Sequence, residues 1–226
     1  AQDKTLAYSG SAISLGANTL TIAGGGFLSN TNKLVLGNAL SVLKISGSNT
    51  VRGPVSLNTG SIEVDETSVF LGDLTLGGSA TIDVDQGKSL TYGGAALSLG
   101  ANTLTLSGSG TFLNTNGLVL GDEASVLKIS GTNTVSGPVS LNAGAIDVDE
   151  TSNINSDLTL GGSAVIDVAE DKIMTYSGVS LSLGANTLTI TGAGTLSNTN
   201  AVVLGEGSSV LKLSGTNTLS GPLSLN

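Results

Sequence analysis

The passage VLKISGTNTVSGPVSLN, Val126–Asn142, has near-copies at VLKISGSNTVRGPVSLN (Val42–Asn58) and VLKLSGTNTLSGPLSLN (Val210–Asn226). One and the same interval separates Val42 from Val126 and Val126 from Val210. An interval with no slippage means that every copy occupies the same stretch of backbone in the same way. Such units are built by stacking, because a unit that cannot bury its own apolar face buries it against its neighbours.

The 84-residue unit divides again into four pieces of about 21 residues. Each opens on an apolar–small–apolar triplet: Leu97/Leu99, Leu118/Leu120, Val139/Leu141 and Leu158/Leu160. Each carries a second, at Leu104/Leu106, Leu127/Ile129, Ile146/Val148 and Ile166/Val168, and a third, weaker apolar position at Phe112, Val135, Ile154 and Met174. Alternation over three to five residues is the strand period. Gly, Asn, Asp and Ser between the triplets turn the chain, and no segment shows the 3.6-residue period of a helix. The expected fold is all-β: a parallel β-helix, or β-solenoid, with about 21 residues per three-strand coil. Opening triplets from Ile13/Leu15 to Leu223/Leu225 give about 11 coils and, at about 4.8 Å per coil, a body roughly 50 Å long. Stacking is expected to align Leu43, Ile62, Ile82, Leu104, Leu127 and Ile146 as one inward column. Asn30, Asn114 and Asn198 fall at a corner, where in-register amides on adjacent coils could form a ladder.

Residues 1–226 are expected to form a single solenoid, a slice of a longer array, with copies at 1–12 (partial), 13–96, 97–180 and 181–226 (partial). The opening AQDKTLAYSG aligns with DQGKSLTYGG and AEDKIMTYSG, so the chain enters inside a fourth coil. Neither end reads as a polar cap, which predicts weak end-to-end association between copies of the chain.

Composition narrows the function. Apolar residues are 39 % of the chain but aromatics 3 %, so the core is aliphatic. Net charge is −9 with a single arginine, Arg52, which argues against nucleic acid as partner. No apolar run approaches the roughly 20 residues that span a bilayer. Without His or Cys, catalysis would fall to carboxylates, Lys and Tyr. Short, uniform loops that return in every unit give no place for one tuned site, so no catalytic residue is assigned.

Two surface features stand out. Outward positions of the second strand align as Thr21, Lys44, Glu63, Asp83, Thr105, Lys128, Asp147, Asp167, Thr189 and Lys212, with Asp65, Asp85, then Ser107, and Asp149 on a neighbouring column. Glu63, Asp65, Asp83 and Asp85 would share one patch, and Asp147, Asp149 and Asp167 a weaker copy. Such oxygens could hold Ca²⁺, the candidate cofactor; the alternative is a solvated acidic face partly offset by Lys44 and Lys128. The first strand instead presents an uncharged column of Ser14, Val35, Ser56, Thr75, Ser98, Val119, Ser140, Thr159, Ser182, Val203 and Ser224. It suits lateral packing between solenoids, or a sugar.

Leu127–Val148, LKISGTNTVSGPVSLNAGAIDV, resembles the passenger-associated repeat of autotransporter and related large bacterial surface adhesins. The matching residues are Leu127, Ser130, Gly131, Asn133, Thr134, Gly137 and Gly144; Val135 stands where tyrosine is usual and Pro138 where glycine is common. The match covers about one coil in four. The resemblance implies a secreted, right-handed β-helix on a bacterial surface, and supplies no ligand. The expected function is a non-enzymatic stalk or fibre shaft of a secreted or cell-surface protein. The alternative is a module that binds glycan, a partner or the host surface along its side.

Overall fold

A computed structural model describes residues 4–225; Ala1–Asp3 and Asn226, at the ends of the two partial copies, lie outside the described residues. One turn consists of a first-face strand, Ile13–Ser14, a second-face strand, Thr19–Ala23, and a third-face strand, Gly26–Asn30. Each strand pairs in parallel with its counterpart in the next turn, as Ile13 with Leu34, Leu20 with Leu43, and Leu28 with Val51. Among the described residues the third face is one eleven-stranded sheet and the second one ten-stranded sheet. Among those residues the first face has eleven strands, bounding ten full turns. This is the parallel β-helix that the triplets predict.

Strand alternation decides what is inside. Strands such as Val126–Ile129 and Ala145–Val148 alternate between half-buried and buried positions. Leu43, Ile62, Ile82, Leu104, Leu127 and Ile146 are all fully buried. They do not form one straight column. Ile62 pairs with Ile82, but Ile82 pairs with Leu106, and Leu104 pairs with Ala80 and Leu127. The same offset returns at Ile166, which pairs with Ile190 rather than Leu188.

The cause is uneven coil length. First-face strands open at Ile13, Leu34, Val55, Leu74 and Leu97. The first two coils are equal, the third is shorter by two positions, and the fourth is longer by two. The long fourth coil carries extra chain at the turn Asp85–Lys88 and at the corner 93–96. The next second-face strand is therefore met two residues further along. The outward columns shift with it: Asp83 faces Ser107 and Asp167 faces Thr191, not the expected Thr105 and Thr189.

Corners are shaped by the small rise per coil. A Cβ on Gly131 would collide with the carbonyl oxygen of Gly108 in the turn below, and Gly108 itself has φ +78°. Asn133, buried, donates from Nδ2 to the Leu106 carbonyl of the preceding coil at 3.1 Å, and Asn49 does the same to Ile22 at 3.2 Å. The S-G-x-N-T passage is thus a corner in which glycine permits close approach and asparagine bonds to the backbone beneath. Among the described residues the amides do not form the expected ladder at this corner: Asn30, Asn114 and Asn198 stand in register with Tyr8, Tyr92 and Tyr176. Asparagines one whole unit apart cannot touch. Asn30 donates instead to the Pro54 carbonyl at 3.2 Å.

Gly131→Ala is expected to cost about 1–3 kcal/mol, the range of an overpacked interior, and to lower the melting temperature. Gly207→Ala is the control, since no atom lies within 4 Å of its Cβ position. Equal melting of both variants would show that the corner is not closely packed.

Candidate functional site

The acidic patch lies on the second face, where backbone register places Lys44, Glu63 and Asp83 side by side on successive coils. Glu63 and Asp65 turn back toward Lys44, whose Nζ lies 3.6 and 2.7 Å from their carboxylates. Asp83 does not join them. Its Oδ1 is buried without a hydrogen-bond partner and lies against Gly108 of the next coil, 2.5 Å from where a Cβ would be. The second copy repeats the division. Lys128 Nζ holds Asp147 at 2.8 Å and Asp149 at 2.7 Å, while Asp167 accepts from the Thr191 hydroxyl at 2.8 Å. Asp85 continues the strand, its N–H donating to the Val64 carbonyl.

The structure therefore brings Glu63 to Asp65, and Asp147 to Asp149, each pair around a lysine. Among the described residues no three carboxylates gather closely enough to hold a metal ion. Two further pairs, missed in the sequence, staple the neighbouring turn: Lys88 to Glu66 and Lys172 to Glu150, both at 2.6 Å. Their signal was there, since the partners stand one coil apart and the pair recurs in the next unit. All these groups are about a third exposed or more, so they act as a solvent-screened stripe.

The uncharged first-face column is in register within each unit: Ser14, Val35, Ser56 and Thr75, then Ser98, Val119, Ser140 and Thr159. Its backbone ladder is interrupted between units, because the face divides into sheets of four, four and three hydrogen-bonded strands. The divisions fall after Leu74–Leu76 and Leu158–Leu160. At these points Tyr92 and Tyr176, both buried, reach the corner. Their recurrence in TYGG and TYSG is visible in the sequence, but their inward aim is not.

The chain is 35 % identical over 185 residues to outer membrane protein A of Rickettsia rickettsii, an alignment that covers 80 % of this chain and 7 % of that protein. The chain thus spans a small part of the curated relative it matches. No family model matches the sequence, and no solved structure matches it. The surface location of a relative of this kind agrees with a structural or adhesin-like repeat on a bacterial cell surface or outer membrane. No helix among the described residues is long and apolar enough to cross a membrane.

Two outcomes follow. Hydrogen bonds to Asp65 and Asp147 raise the pKa values of Lys44 and Lys128, and burial raises those of Tyr92 and Tyr176. All four bind their protons more tightly in the folded state than unfolded. The stability they contribute is complete below the unfolded values near pH 10 and is lost as pH rises through the raised ones. Melting temperature should be flat at neutral pH and fall above about pH 10; a flat profile through that range would contradict the assignment. Millimolar Ca²⁺ and chelator should both leave melting unchanged, since a ligand of the folded state would raise it. A calcium-dependent rise would mean that the carboxylates regroup around an ion.

Proposed function

We propose that the chain is a non-enzymatic structural module, part of the stiff shaft of a bacterial surface protein. The observation that carries the reading is the recurrence of one four-coil pattern along the chain. Every turn adds strands on the same three faces and another aliphatic layer, closed by short corners, and the acidic patch of the second face is a solvent-screened stripe. Similarity to an outer membrane protein supports a location outside the cell, where such a shaft would hold an adhesive end away from the surface.

Its mechanism is mechanical. Parallel ladders run along the axis, so length is proportional to repeat number, and each 84-residue unit contributes four coils, or about 19 Å. Arrays of two, four and eight units should form rods whose length, read by small-angle scattering or electron microscopy, grows by that step. Lengths that do not scale with unit number would end the shaft reading. A screen of immobilised glycans is expected to give no binding; specific binding that survives high salt would favour a lateral recognition surface instead.

A further inference from the structure

On the first face, the N–H that opens each strand normally donates upward to a carbonyl of the next coil. Val55 donates to Asp73 at 2.9 Å, Leu97 to Gly117 at 2.9 Å and Val139 to Asp157 at 2.9 Å. At the fourth coil the rule breaks. The corner runs through four residues, 93–96, between Tyr92 and Leu97, where the preceding corner uses three, 71–73. The longer corner carries the expected carbonyl out of line, and the strands Leu74–Leu76 and Leu97–Ser98 form no ladder.

A side chain takes the place of that rung. Leu74 N–H donates to the Tyr92 hydroxyl at 3.0 Å, and Leu158 N–H to the Tyr176 hydroxyl at 3.2 Å. Tyr176 in turn donates to the Val179 carbonyl of its own corner at 2.7 Å, so the hydroxyl sits between amide and carbonyl as an inserted link. A carboxylate fastens the same corner from outside. Asp73 accepts from Ala95 N–H at 2.9 Å, and Asp157 from Val179 N–H at 3.1 Å. The other two sheets pass this level unbroken.

We propose that each fourth coil is a hinge of the rod, at which one of three ladders is replaced by a tyrosine–aspartate clasp. The array is then a chain of rigid 84-residue blocks that flex, and part under load, at the clasped seams. A full ladder resists bending toward or away from its face. The seam is held by side chains: the tyrosine hydroxyl, the aspartate carboxylate and, at the second seam, Asn186, whose Nδ2 donates to the Leu160 carbonyl at 3.3 Å. It opens locally while the two continuous sheets keep the blocks joined. The shaft reading gives such compliance its use, but the hinge is read on the chain itself. Rod length tests the shaft and amide exchange tests the clasp, so the two can fail separately.

Hydrogen exchange followed by NMR is the test. In the unmodified chain the Leu74 and Leu158 amides should exchange about tenfold faster than those of Val55 and Val139, the difference expected between a clasp and a full ladder. Tyr92→Phe keeps the ring that fills the core and removes only the hydroxyl. It should speed Leu74 about tenfold further and leave Val55 and Leu158 as they were. Pulling the chain from its ends should release the block between Leu97 and Leu181 as one event, about 280–300 Å of chain. Exchange at Leu74 and Leu158 as slow as at Val55 and Val139, no response to Tyr92→Phe, or release coil by coil would overturn the hinge. Exchange and pulling of the unmodified chain decide the matter even if the Phe variant does not fold.

Discussion

The vertical spacing of a parallel ladder, about 4.8 Å, governs everything else in this molecule. Whatever stands at a position in one coil must fit against its counterpart one strand-width above. Aliphatic side chains meet this condition on the inside, because flat layers of Leu, Ile and Val interlock without leaving a polar atom behind. Glycine meets it at the corners, where Gly131 lies against the Gly108 carbonyl. Asparagine meets it by bonding to the backbone below, as Asn133 does to Leu106. The low aromatic content and the abundance of glycine thus have one origin, and no coil can be understood without the coil beneath it.

The sequence was legible where a residue's role depends on alternation alone. The triplets located the strands, and Leu127 and Ile146 are buried and paired as their spacing predicts. It was less legible where the role depends on counting between coils. An average coil length conceals a short third coil and a long fourth, so Ile82 was aligned with Leu104 although Leu106 is its partner. The acidic patch suffered from the same limit. Register brings Glu63 beside Asp83, yet side-chain direction sends one toward Lys44 and the other over Gly108, and composition says nothing about that choice. The inward tyrosines were legible as a recurrence and not as a bond, since a hydroxyl acting as a ladder rung leaves no pattern in the chain.

The lysines illustrate how a rod carries net negative charge without self-repulsion concentrating at one level. Lys44 and Lys128 sit one coil below two carboxylates each, and Lys88 and Lys172 one coil above a glutamate. Like charges directly opposite one another in a sheet are unfavourable. Where two carboxylates do stand in register, Glu63 with Asp83 and Asp147 with Asp167, the first of each pair is drawn toward a lysine and the second is turned across the next coil. Exposed pairs of this kind add little to stability; register is fixed by the alternation itself, because a slip of one residue would turn the aliphatic layer outward.

The two complete copies show how far this logic constrains divergence. Inside, copies 13–96 and 97–180 differ by near-isosteric exchanges, Ile13 for Leu97, Ile22 for Leu106 and Leu90 for Met174, and by the place of one phenyl ring. In the first copy the ring is Phe70, on the third coil, with Leu28 on the first; in the second it is Phe112, on the first coil, with Ile154 on the third. All four residues are buried. The inward side of the third face therefore holds one phenyl group and one tyrosine per unit in both copies, and total core volume is preserved while its distribution is not. Cores tolerate such rearrangement when overall volume and patterning are kept. A solenoid tolerates it along its axis, because each layer must match only the layers above and below. The tyrosine is the aromatic residue that does not move between copies, and it is the one whose polar atom is committed to the backbone at a fixed corner. Packing alone would have let it wander as the phenyl ring did; a hydrogen bond to a single amide in each unit holds it in place.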